Sequence, residues 1–174
     1  MNSRVLHGTG VGRGAVVGPV VQVHASPAVD PATPVGADVA EAHRVLDGAF
    51  AAVARRLQEQ ADGASGPLRE VLEATAQMAA DPALRQQSLE RVDAGEPVVA
   101  ALDAVVGTFV AVFEQAGGYL AERVTDLRSV RDRVVAEVLG VPTPGVPVLD
   151  RPSVVVATDL APADTATLDL ERTL

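Results

Sequence analysis

One stretch of helical periodicity, residues 39–139, bracketed by proline-framed segments and valine-rich ends, constrains this chain more than any other feature. Val39, Ala42, Leu46, Phe50, Val53 and Leu57 recur at spacings of three and four, with Glu41, Arg44, Asp47, Arg55 and Arg56 between them. That spacing puts the apolar residues on one face of an amphipathic helix. Asp62-Gly63 ends the helix, and Ser65-Gly66-Pro67 opens a second that carries Leu68, Val71, Leu72 and Thr75 toward Met78. Asp81-Pro82 then places an N-cap residue before a proline at the first helical position, so the second helix breaks there and restarts through Leu84 and Leu89 to Gly95. A third helix begins at Glu96-Pro97, carries Val99, Leu102, Val106, Phe109 and Phe113, and stops at Gly117-Gly118. The fourth is expected to run unbroken from Tyr119 to Leu139, with Leu120, Val124, Leu127, Val134 and Val138 inward and Gly140 as its stop. Four amphipathic helices on short turns describe an antiparallel four-helix bundle whose second helix is broken.

The ends have a different texture. Residues 1–24 are glycine-rich and valine-rich, which suits short strands and tight turns. Pro27, Pro31 and Pro34 mark a linker into the bundle, and Pro142, Pro144, Pro147 and Pro152 mark another out of it. Val154-Val155-Val156 reads as a buried strand, Asp159 to Pro162 as a turn or helix start, and residues 168–174 as β-compatible. The layout is mainly α with a partial α/β unit: residues 1–24 and 145–174 form the two parts of a split unit, and residues 36–140 are the helical domain between them.

Composition narrows function by exclusion. The chain is 48% hydrophobic but only 2% aromatic, so its core is built from Ala, Val and Leu. No apolar run of about 18 residues is read, so no spanning helix is expected. Cysteine is absent, which removes disulfides and thiolate chemistry. A net charge of −9 argues against a nucleic-acid footprint and suits a basic protein partner, although it also serves solubility alone. All basic residues are Arg, so neither a Walker loop nor a Schiff-base lysine exists. Gly10 to Ala15 matches a loose dinucleotide fingerprint, but Val16-Val17-Gly18-Pro19 follows where a helix is required. His7, His24 and His43 lie at no metal-ligand spacing and read as surface residues.

The second helix and its break carry the more informative pattern. Glu70, Glu73 and Asp81 accompany Met78, Ala79 and Leu84, giving a mixed acidic and apolar surface beside irregular backbone. One reading is an ordinary helix with a buried stripe; the other is a docking face with an apolar centre and charged rim.

Tyr119 to Arg128 (YLAERVTDLR) resembles the YLxERxxDLR stretch of bacterial enzyme I of the sugar phosphotransferase system. Asp159 to Leu168 (DLAPADTATL) is similar to that family's DLTPSETAxL signature, and Gly8 to Pro19 to its GxxASPGxAxG pattern, with Gly12-Arg13 in place of Ser-Pro and Ser129 in place of a common Asp. The resemblance implies a phosphoenolpyruvate-protein phosphotransferase that accepts a phosphoryl group on a histidine and passes it to the carrier HPr, in the cytoplasm. It implies an HPr-binding helical domain inserted in an incomplete phosphohistidine domain. The family's GGxTSHxAIxAR motif would follow Leu174, so these residues are expected to retain docking but not phosphorylation. No cofactor is expected on these residues; magnesium and phosphoenolpyruvate belong to a further domain. The docking residues implied by pattern and resemblance together are Glu73, Met78, Asp81, Leu84, Val112, Leu120 and Arg123. Arg123 has the alternative of an ion pair within the bundle, with Glu122 or Asp126. Thr165 matches the threonine that supports the family's histidine. Alternatives are a non-catalytic helical interaction module, or the same module from a nitrogen-signalling or dihydroxyacetone-kinase-associated relative.

Overall fold

The computed structural model describes residues 14–24, 26–147, 149–157, 160, 164 and 168–174. The first helix, α1 (Val39–Gly63), starts where Asp38 accepts a hydrogen bond from Glu41 N at 2.8 Å, while Glu41 reaches back to Ala37 N at 2.8 Å. This reciprocal cap satisfies two otherwise orphaned amides. Next comes α2 (Pro67–Ala79), and α3 (Pro82–Asp93) restarts after the break. At that break Asp81 Oδ1 accepts from Ala83 N at 2.7 Å and Leu84 N at 3.1 Å, as its position before Pro82 requires. The third rod is α4 (Val98–Ala116).

The expected fourth helix is in fact two, α5 (Gly118–Glu122) and α6 (Val124–Leu139), meeting at Arg123. Arg123 N bonds to Leu120 O rather than one residue further back, which tightens the turn locally. No glycine or proline marks this break. Gly140 ends α6 in the left-handed conformation, with Val141 N returning to Ala136 O at 3.0 Å.

The rods pack as a four-helix bundle, α1 against α2, α3 and α6, and α4 against α3 and α6. Its centre is filled by Phe50, Leu46 and Leu57 of α1, Leu72 of α2, Leu84 of α3, Leu102 of α4 and Val134 of α6, all at or below 1% exposure. Each large aliphatic group so buried contributes roughly 1.5–3 kcal/mol. Two buried hydroxyls are satisfied within their own helices: Thr75 donates to Val71 O and Ser88 to Leu84 O, both at 2.8 Å.

Two sequence expectations need correction here. Contrary to the expected absence of a long apolar run, α4 is long and apolar enough, by length and composition, to cross a membrane. It packs on the bundle through Val98, Val99, Ala101, Leu102, Val105, Val106 and Val110, and its two acids pair with α6, Asp103 with half-buried Arg131 at 2.6 Å and Glu114 with Arg128 at 3.6 Å on the exposed surface. Val39 and Leu120, expected inward, are 49% and 40% exposed: Val39 sits at the first turn of α1, ahead of its buried stripe, and α5 buries none of its residues.

The ends meet in a two-stranded parallel sheet, β1 (Val20–Gln22) with β2 (Val154–Val156), in the register Val20↔Val154, Val21↔Val155 and Gln22↔Val156. The whole bundle is therefore the crossover between two parallel strands. Strand β2 is half-buried rather than buried. Residues 168–174 form no strand; a turn at 170–172 leads to a single bridge between Ser153 and Thr173.

Candidate docking site

The sequence-derived docking residues fall into two groups. The first lies along α2 and the break after it. Glu73 accepts from Arg69 Nε at 2.7 Å, one turn earlier, and this bond is the main reason the Arg69 guanidinium is held above its ordinary pKa. Met78 is half-buried against the bundle core. Asp81 is half-buried, with one carboxylate oxygen committed to capping α3. Beside it lies a groove of 260 Å³ lined by Phe50, Ala51, Ala54, Ala79, Ala80, Pro82 and Arg85. Small alanines on both walls leave this space, and Pro82 holds the backbone apart there.

Leu84 does not belong to the group. It is 1% exposed and part of the bundle core, because the first turn of α3 points it inward toward the other helices. A residue so placed cannot touch a partner, and the sequence assignment of Leu84 to the docking face is corrected.

The second group surrounds the turn from α4 to α5. Val112 is 55% exposed on the last turns of α4, and Leu120 stands on α5. Between them in the chain Tyr119 is 63% exposed, an aromatic side chain that the sequence reading left out of the docking set. It is the chain's one tyrosine, and its position four residues before Arg123 was the available signal. Arg123 packs over the Tyr119 ring, 4.5 Å from its centroid, and donates to the tyrosine hydroxyl. It also donates to Asp126 Oδ2 at 3.0 Å, the largest cause of the guanidinium's raised pKa. The alternative of an intra-bundle ion pair is thus realised, with Asp126. Arg123 stays charged at any ordinary pH and is held in one place by three contacts.

The carboxylate of Asp126 is buried, and its other oxygen, Oδ1, has no hydrogen-bond partner among the described residues. The two groups are joined through the core, since α2 and α4 both pack on α6. What the arrangement offers chemically is a surface of exposed apolar side chains (Val112, Tyr119, Leu120), one fixed cation and nearby acids. Among the described residues there is no cluster of three or more His, Asp or Glu side chains placed to hold a metal. His43 lies 3.4 Å from Asp93, linking α1 to α3, and His24 is exposed. Thr165, His7 and Gly10 to Arg13 lie outside the described residues.

Comparison with known proteins gives the geometry a context. Residues 7–123 match the family described as PEP-utilising enzyme, N-terminal. The phosphoenolpyruvate-protein phosphotransferase of Streptomyces coelicolor is 42% identical over 165 residues, covering 94% of this chain and 30% of that protein. The protein of the same name from Lactococcus lactis subsp. lactis is 35% identical over 140 residues, covering 76% of this chain and 24% of its own length. The chain therefore spans less than a third of these relatives. Among solved structures, an NMR structure of enzyme I matches with a TM-score of 0.64 at 29% identity, over 79% of this chain and 56% of that one. The N-terminal domain of a nitrogen-type enzyme 1 matches with a TM-score of 0.61 at 22% identity, over 90% of this chain and 66% of that one, a likeness of fold alone.

Proposed function

Because the chain belongs to the PEP-utilising enzyme N-terminal family and is similar to the N-terminal part of enzyme I, we propose that its helical bundle is the docking body for the phosphocarrier HPr. The observation that carries this reading is the exposed set Val112, Tyr119 and Leu120 beside the fixed Arg123. Soluble proteins seldom leave large apolar side chains grouped at one turn without a use for them. Met78 and the groove next to Asp81 extend the surface along the α2–α3 break, where a partner's apolar side chain can seat. The excess of acids over bases complements a basic carrier, and Glu73 and Asp81 serve as rim charges that raise the encounter rate more than the affinity.

In this reading residues 36–140 are the HPr-binding domain, inserted between the two parts of a phosphohistidine domain, 1–24 and 145–174. The whole protein takes a phosphoryl group from phosphoenolpyruvate and delivers it to HPr for sugar uptake in the cytoplasm. None of His7, His24 and His43 stands in a GGxTSH context, so residues 1–174 act in recognition and not as the phosphoryl acceptor. Magnesium, which the whole enzyme would use, fits nothing among the described residues and enters no step here.

Calorimetric titration of HPr into the chain and into Leu120→Ala and Tyr119→Ala variants tests the reading. The expected result is saturable binding that each variant weakens by roughly ten-fold, as loss of an interface anchor does. Binding of unchanged affinity in both variants would move the docking face elsewhere.

A further inference from the structure

The buried carboxylate of Asp126 is poorly explained by the bundle that contains it. Asp126 stands in the first turn of α6 among the buried residues Val124, Leu127 and Val130, and its side chain is 4% exposed. One oxygen, Oδ2, accepts from Arg123 at 3.0 Å; the other, Oδ1, is buried with no hydrogen-bond partner among the described residues. Thr75 and Ser88, by contrast, close their hydrogen bonds within their own helices. A half-satisfied carboxylate in a core costs stability, and a neutral side chain of similar size commonly serves the fold as well or better.

What this carboxylate controls is Arg123. Asp126 lies three residues after Arg123 and Tyr119 four before it, spacings that bring the three side chains together at the α5–α6 junction. The guanidinium lies between them, 4.5 Å from the centroid of the Tyr119 ring, donating to the tyrosine hydroxyl and to Asp126. The Arg123 side chain is 18% exposed, so the acid is the inner partner and the arginine the outer one. A guanidinium has more N–H donors than these two hydrogen bonds use, so the held group can still donate to an acceptor on a partner. Holding it in advance spares that partner the entropy of ordering a long side chain. The acid also offsets the arginine's charge. On a surface that suits a basic carrier, Arg123 then supplies donors without a net positive charge.

We propose that Asp126 is a positioning residue for docking, which holds and neutralises Arg123 for the carrier at some cost to the bundle's own stability; this inference rests on the reading of the α4–α5 turn as part of the docking surface. Loss of the acid frees Arg123 into water, because the guanidinium already reaches the surface, and so leaves no charge stranded inside. Binding then suffers while folding does not.

Calorimetric titration of HPr and urea unfolding, compared for the parent chain, Asp126→Asn and the neutral pair Arg123→Met/Asp126→Asn, test this. Asp126→Asn is expected to bind HPr about ten-fold more weakly, with its urea midpoint unchanged or raised. Its Arg123 Nε–H resonance is expected to move to the position of a free arginine. A group that only stabilises the bundle gives the opposite result, a lowered midpoint with parent-like affinity, and that result overturns the proposal. The double variant is expected to bind as weakly as Asp126→Asn, since the acid acts through Arg123. Should the double variant bind weakly while Asp126→Asn binds like the parent, Arg123 docks unaided, and the positioning role falls while the docking surface stands. Should the double variant bind like the parent, Arg123 has no part in docking and both fall. If Asp126→Asn loses helical content, Asp126→Ser, which fits the same space, decides on the same terms.

Discussion

The bundle and the strand-bearing ends of this molecule are held together by different means. Helices α1, α2, α3, α4 and α6 make their hydrogen bonds locally and share one core, in which Phe50, Leu102 and Val134 are almost wholly shielded. The strands β1 and β2 are three residues each, with β1 exposed at Val20 and Gln22 and β2 only half-buried, and among the described residues each pairs with the other alone. A two-stranded parallel sheet of that size is marginal by itself. Its position depends on bonds made outside it: the Ser153–Thr173 bridge, Arg172 donating to Leu149 O at 2.5 Å, and the contacts of α6 with Ser26 and Asp164. The contrast separates a self-sufficient helical bundle from an accessory whose order is borrowed.

That contrast can be broken most sharply by truncating equivalent aliphatic groups in the two regions. Leu102→Ala is expected to cost about 3–4 kcal/mol in urea unfolding followed by helical circular dichroism, the range for a fully buried leucine. Val155→Ala in β2 should cost less than about 1 kcal/mol in the same transition, since its surroundings are half open. Equal costs would mean one cooperative core. Loss of the Asp81 cap comes next: Asp81→Ala should lower stability by about 1 kcal/mol in the same assay, and protection of the Ala83 and Leu84 amides should fall most. The smallest effect is expected at the exposed pair Arg85–Asp47, 2.9 Å apart and about half exposed on both sides. Arg85→Ala should change the unfolding free energy by less than about 0.5 kcal/mol, and added salt should erase the difference.

Much of the bundle is legible in the sequence because its rules are local. The spacing of Leu46, Phe50, Val53 and Leu57 and the Asp81-Pro82 break both act within a few residues, and both are seen where they were expected. The break at Arg123 is not legible in the same way. Residues 119–128 contain no glycine or proline, and the break coincides with Arg123's contacts to Tyr119 and Asp126, which in residues 119–139 compete with an unbroken helical pattern. Leu84 was misplaced because its spacing fits both a buried stripe and a mixed surface, and only the direction of α3 after the break decides between them. The pairing of Arg133 with Asp164 joins residues far apart in the chain, and nothing short of the fold brings them together. Parallel pairing of β1 with β2 was foreshadowed only by the resemblance to a split domain, since two short valine runs specify neither partner nor register.

In the proposed function, recognition belongs to the bundle and specifically to the residues at the α2–α3 break and the α4–α5 turn. Titrating unlabelled HPr into nitrogen-15-labelled chain and following every backbone amide tests it most directly. The predicted result is a saturating set of shifts at Met78 to Asp81, Val112 and Tyr119 to Arg123, with Val20 to Gln22 and Val154 to Val156 unmoved. Shifts confined to the strands, or none on the bundle at saturating HPr, would contradict it.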